Sequence, residues 1–188
     1  MIIVMSPLIP HLKPLFQKTI STIIAPHGIT DIMHAKQYNL TTELIQINGF
    51  GLVYSHVLHF TSPEVVLDTI FLLSSIIHFR HDMPRIHTIP RYILSSLVIS
   101  IFPLFPVLFY PYMVFLHVPN HYRMNWVVLK NNIVSNLQFL LLFTMGCYFG
   151  GEVIFDKFFN SYIIDIAKGI VIAHIAYEEL YIHRIGND

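Results

Sequence analysis

Apolar residues run along this chain in long blocks with short polar interruptions, and the blocks set the first expectation. Gln37 to Pro63 carries a single charged residue, Glu43. Pro63 to Ile77 is apolar except for Glu64 and Asp68, Tyr92 to Val118 and Asn131 to Gly151 contain no Lys, Arg, Asp or Glu, and Ser161 to Ile182 completes the series. A further segment, Pro14 to Ala35, is less apolar but periodic. A hydrocarbon core is crossed by about 20 residues of helix, so each block is read as a span, with Tyr92 to Val118 split into two short ones around Pro103, Pro106 and Pro111. The pattern predicts an all-α polytopic membrane bundle of six or seven transmembrane helices, one integral membrane domain over residues 1–188. Only helices and closed barrels satisfy their backbone groups in lipid. The runs are too long, and alternate too little, for barrel strands.

Composition strengthens the membrane reading. The chain is 54% hydrophobic and only 12% charged, against about 25% charged in an ordinary soluble domain, and its mean hydropathy is +0.60. A lipid bilayer is therefore the expected surrounding, with the chain multi-pass. Basic and acidic residues balance at 11 each, so no basic face argues for a nucleic-acid partner. Arg80, Arg85 and Arg91 cluster in one short loop, but Arg123 and Lys130 follow the next apolar block, and orientation stays open. Cys147 is the single cysteine, which excludes an intramolecular disulfide. Met1 to Pro10 is apolar without a basic leader or a small-residue cleavage pattern, and no removable signal is expected.

Twelve histidines change the picture more than the charges do. His117 and His121 stand four positions apart at the end of the longest uncharged stretch, so one helical turn presents two imidazoles side by side. Ionisable groups at membrane depth are costly and mark functional sites. In three further places an acidic residue follows a histidine four positions later: His27 with Asp31, His78 with Asp82, and His174 with Glu178. On a helix that spacing puts both side chains on one face, and metal-binding imidazoles commonly give their second N–H to a carboxylate, from the same helix or a neighbouring one. His34, His56, His59 and His81 read as packing or polar bridging residues, and His11, His87 and His183 as interfacial or loop residues.

These segments resemble a known family. Ala25-Pro-His-Gly-Ile-Thr-Asp31 looks like the Pro-His-Gly-x-x-Asp signature of the Brp/Blh family of membrane β-carotene 15,15'-dioxygenases. Ser75-Ile-Ile-His78-Phe-Arg-His-Asp82 resembles its Ser-x-x-His-Phe-Gly-x-x-Asp region, with Arg80 standing where the family has glycine. Tyr112-Met-Val-Phe-Leu-His117-Val-Pro-Asn-His121 is similar to its Trp-His-Ser-x-x-His segment, although Pro119 interrupts the helix between the two histidines. Ala173-His174-Ile-Ala-Tyr-Glu178 resembles its C-terminal Pro-His segment with a following acid. The four motifs fall in the family's order between residue 25 and about residue 179.

The resemblance implies a non-haem Fe(II) oxygenase that uses O2 to split the central double bond of β-carotene into retinal. His27, His78, His117 and His121 are its implied iron ligands and catalytic residues, with Asp31, Asp82, His174 and Glu178 supporting them. A carotenoid needs an apolar channel, and Phe79, Phe109, Tyr112, Phe115 and Tyr122 are the candidate lining residues. Ligand type alone also permits zinc or copper. Two other readings stand beside this one. A membrane di-metal hydroxylase or desaturase needs more clustered histidine boxes than the chain provides. The other is a non-enzymatic membrane protein that binds a metal, a carotenoid or retinal. No feature of the sequence sets the oligomeric state.

Overall fold

The computed structural model describes residues 18, 22–23, 25–83, 86–101, 108, 111–155 and 161–182. Every regular element among them is helical. A helical turn at Ala25–His27 precedes α1 (Ile29–Gln37), α2 (Thr41–Thr61) and α3 (Glu64–Phe79); a 3-10 turn, Arg80–Asp82, leads on to α4 (Thr88–Ile101). A π-helical turn, Met113–His117, runs into α5 (Val118–Met124), followed by α6 (Trp126–Lys130), α7 (Ile133–Phe155), α8 (Ser161–Tyr177) and a π-helical turn at Glu178–Ile182. The all-α expectation is met. The chain forms two compact units, Met1–Thr30 with Ser100–Asp156 and Asp31–Ile99 with Lys157–Asp188.

Among the described residues one helix is long and apolar enough to cross a hydrocarbon core. It is α7, whose segment Ile133–Gly150 has a mean hydropathy of 1.4 and no buried residue, with Leu137, Leu141, Leu142 and Phe149 all exposed. The other apolar blocks fall short for identifiable reasons. α4 has 14 residues, α3 has 16, and α8 has 17 and carries Asp165 and Lys168. α2 reaches 21 residues, but Gln46, Asn48, His56 and His59 dilute it.

In the first unit α7 packs on the Ala25–His27 turn, which also meets α5. Asn132, at φ 65°, takes the left-handed conformation between α6 and α7. The amide of Asn136 reaches back to the carbonyls of Val128 at 3.0 Å and Asn131 at 2.7 Å, where the end of α6 leaves backbone acceptors open.

The second unit is organised around α8 crossing α2. α1 ends in a Schellman motif. Asn39 is left-handed at φ 57°, the N–H of Leu40 donates to the Ala35 carbonyl at 2.7 Å, and Leu40 packs on a core of Ala35, Leu44, Tyr177 and Ile182. This turns the chain directly into α2. Along α2, Gly51 and Ser55 form a small-residue stripe that meets a second one, Gly169 and Ala173, on α8. A Cβ added at Gly51 lies 2.6 Å from the Gly169 carbonyl oxygen, and one added at Gly169 lies 2.5 Å from the Gly51 carbonyl oxygen. Close approach through small residues at a spacing of four is how helices associate where burial from water gives no drive. A hydroxyl–carbonyl bond from Ser95 to Ile76 at 2.6 Å ties α4 to α3.

Gly169→Leu is accordingly expected to destabilise the protein by about 1–3 kcal/mol or more, since the added side chain meets backbone that cannot move aside. Gly49→Ala, whose new carbon meets nothing within 4 Å, is expected to be neutral or stabilising by up to about 1 kcal/mol. Thermal unfolding of the two variants in detergent checks the pair.

Candidate metal centre

His27, His117 and His121 come together in the first unit, and the local sequence explains how each is held. Pro26 is fully buried in the Ala25–His27 turn, and the Thr30 hydroxyl donates to the His27 carbonyl at 2.8 Å, closing that turn. His117 ends the π turn, and Pro119 occupies the second position of α5. Proline lacks the N–H that a continuous α-helix directs at the carbonyl four residues back. Widening the preceding turn keeps the backbone helical instead, with His117 at φ −65°, ψ −61° and Val118 at φ −58°, ψ −45°. The interruption expected at Pro119 is therefore a wide turn and not a break. Such π turns recur at functional sites.

The three imidazoles converge. Ring centroids lie 4.4 Å apart for His117 and His121, 4.8 Å for His27 and His121, and 5.4 Å for His27 and His117. A donor nitrogen from each falls within 4.8 Å of the others, and the residues are 8%, 2% and 1% exposed for His27, His117 and His121. Buried polar nitrogens are costly unless they bind something, and three neutral imidazoles suit a divalent transition metal that keeps coordination positions open. The group can hold a metal ion.

Asn125, 1% exposed, is a part of this arrangement that the histidine pattern does not reveal. Its backbone N–H and its side-chain amide both donate to the His121 carbonyl, at 3.0 and 3.1 Å. Its own carbonyl accepts from Val128 and Leu129, each at 3.0 Å. One residue thus ends α5, starts α6 and fixes the backbone that carries His121. Its side-chain Oδ1 is buried with no hydrogen-bond partner among the described residues.

His78 and the four supporting residues lie in the second unit. The carboxylate of Asp31 accepts from Nδ1 of His174 at 2.7 Å. Glu178, fully buried, places Oε2 3.1 Å from Nδ1 of His78 and 3.9 Å from Nε2 of His174. The pairing expected along single helices is thus replaced by pairing across elements. His174 and Glu178 share a face of α8 and its π turn but stand beyond hydrogen-bond reach, and the shorter contacts come from α1 and α3. Asp82, 7% exposed, follows the end of α3 at Phe79 and sits in the 3-10 turn. The α-helical register that the His78–Asp82 spacing presumed does not continue that far.

The candidate lining residues divide. Phe79 is buried, its ring 5.5 Å from that of His78. Tyr112 and Tyr122 are half-buried, and burial pushes the Tyr122 hydroxyl above its ordinary pKa. Phe115 is 79% exposed, because it lies two residues from His117 on a helical turn and so takes the opposite face. Phe109 falls outside the described residues. A groove of about 470 Å³ in the second unit is lined by Leu52, Val53, His56, Tyr162, Ile163 and Ile166, none of them anticipated for substrate.

The histidines read as bridges do bridge. His34 meets the Tyr177 hydroxyl at 3.1 Å, His56 the Tyr162 hydroxyl at 3.0 Å, His59 the Asp165 carboxylate at 2.8 Å and His81 the Glu179 carboxylate at 2.7 Å. Asp165 also accepts from Lys168 at 2.9 Å, and Lys168 pairs with Asp68 on α3. Charges inside apolar helices are paired in this way because an isolated one is expensive.

Comparison of the chain with protein-family models, with curated proteins and with solved structures finds no match.

His117→Ala and His121→Ala are each expected to lower the amount of divalent metal retained through desalting, measured by elemental analysis, because an open site loses its geometry with one ligand. Asn125→Ala is expected to cost about 1–2 kcal/mol of stability, the usual range for a lost buried hydrogen bond, and to weaken metal binding with all three histidines intact. Isothermal titration with Zn(II) reads the second effect.

Proposed function

We propose that this chain is a polytopic membrane oxygenase that uses Fe(II) and O2 to cleave β-carotene, or a related carotenoid, at its central double bond to give retinal. The observation that carries the reading is the buried convergence of His27, His117 and His121, which the ordered motifs assign as iron ligands. The resemblance adds His78 as a fourth; within its own unit it meets Phe79, His174 and Glu178.

The reaction is balanced without an external reductant: one O2 and one carbon–carbon double bond give two aldehydes, one oxygen atom in each. Bound iron supplies the redox chemistry that lets O2 react with the polyene. Three imidazoles add no negative charge and fill fewer positions than a closed tetrahedral site does. Asn125 holds His121 against displacement when the site is entered. The membrane setting suits a long apolar substrate delivered from lipid, and the exposed apolar surface of α7 supports that setting.

Expression in a host that accumulates β-carotene is expected to bleach the cells and yield retinal by chromatography, with both effects lost in His117→Ala. Unchanged colour with iron-loaded protein present in the membrane fraction overturns the assignment.

A further inference from the structure

His34 and Tyr177 share a buried hydrogen bond that the oxygenase reading leaves without a task. We infer that Tyr177 is a redox-active residue, oxidised by one electron to a neutral tyrosyl radical while His34 takes its proton. Its role is to draw off the oxidising power released when iron and O2 meet with no carotenoid to attack. The source of the oxidant rests on the oxygenase reading; the chemistry of the pair does not.

Geometry carries the inference. Tyr177, the last residue of α8, is 0% exposed, and its hydroxyl lies 3.1 Å from Nδ1 of His34 on α1. His34 is buried as well. A phenol gives up an electron readily only when its proton leaves with it, because the protonated radical is strongly acidic. A neutral imidazole in hydrogen-bond contact is the side chain best suited to receive that proton near neutral pH. With His34 as the Nε2–H tautomer, the hydroxyl donates to Nδ1 and the proton moves along one existing bond. The step balances. The O–H bond breaks, the Nδ1–H bond forms, one electron passes to the oxidant, and a neutral radical is left beside an imidazolium. Tyr177 packs with Ala35, Leu44 and Ile182 in an apolar core, which keeps the radical from soluble reagents.

Placement supplies the oxidant and the outlet. Tyr177 immediately precedes Glu178, whose carboxylate stands 3.1 Å from Nδ1 of His78, an implied iron ligand. Tyr38 follows His34, and Tyr181 follows Tyr177, at a spacing of four, which stacks each pair along one helical face. Ring centroids are 4.6 Å apart for His34 and Tyr38, 5.3 Å for Tyr177 and Tyr181, and 5.9 Å for His34 and Tyr177. Tyr181 packs at the rim of the same core, and Tyr38 is 37% exposed. The rings therefore run from the core to the surface in steps short enough for electron transfer. At Tyr38 a soluble one-electron reductant of the ascorbate class returns the electron, and Tyr177 recovers its proton from His34. A comparable bond, between Tyr162 and His56 at 3.0 Å, lies at the exposed groove, where a radical is quenched from outside.

The test uses the full-length protein in detergent with two oxidants. Iron-loaded protein is mixed with O2 without carotenoid and frozen, and Zn(II)-loaded protein is oxidised by a flash-generated Ru(III) polypyridyl complex. Electron paramagnetic resonance is expected to show a long-lived tyrosyl signal in both, narrowed by ring-deuterated tyrosine. Tyr177→Phe is expected to lose it and Tyr162→Phe to keep it. His34→Gln, which retains a hydrogen-bond acceptor but takes up no proton, is expected to lower its yield and lifetime. A signal in either arm that Tyr177→Phe removes upholds the pair; in the Ru(III) arm alone, it also removes iron and O2 as the oxidant. No long-lived signal in either arm, or an undiminished one in Tyr177→Phe, overturns the inference, and an unchanged yield in His34→Gln ends the assignment of the proton to His34. Should Tyr177→Phe fail to fold, peptide mapping of the oxidised parent decides. Hydroxylated Tyr177 upholds the inference, and unmodified Tyr177 beside oxidised surface tyrosines ends it.

Discussion

An ionisable group buried among apolar helices must meet a partner, because its transfer from water costs several kcal/mol if it stays unmatched. That constraint explains where this chain places its polar side chains. In the second unit Asp31 is spent on His174, Glu178 lies against His78, Asp165 sits between His59 and Lys168, and His34 and His56 each take a tyrosine hydroxyl. In the first unit three imidazoles turn toward one another, a group that can hold a metal ion.

Helix packing serves these contacts. The stripe of Gly51 and Ser55 against Gly169 and Ala173 lets α2 and α8 approach closely. The same crossing brings the two ends of α8 to different polar groups, with Asp165 and Lys168 near one end and His174 near the other. The short reach of an aspartate such as Asp31 or Asp165 suffices only when helix axes are close. The small residues and the ionic contacts are thus two parts of one solution.

The apolar blocks foretold most helices to within a few residues: Gln37 to Pro63 contains α2, and Asn131 to Gly151 overlaps α7. The histidines were legible as a set because imidazoles recurring at the ends of apolar segments have few structural reasons to be there. Other features were not legible, each for a physical reason. The π turn at Met113–His117 inserts no recognisable residue, and its cause, Pro119, lies downstream of it. The partner of His174 is Asp31, 143 positions away, and no local periodicity encodes that choice. Asn125 acts through its backbone and amide together, which an asparagine between two helices does not announce. The stripes on α2 and α8 are visible as small residues four apart, but only their mutual contact gives the spacing meaning.

Neither Gly51 nor Gly169 can be rescued by a change in the other, because each abuts the opposing main chain, which mutation does not alter. Most core contacts can drift by compensation, a larger residue here matched by a smaller one there. These two glycines are excluded from that exchange, so each must persist on its own account in any descendant that keeps the crossing.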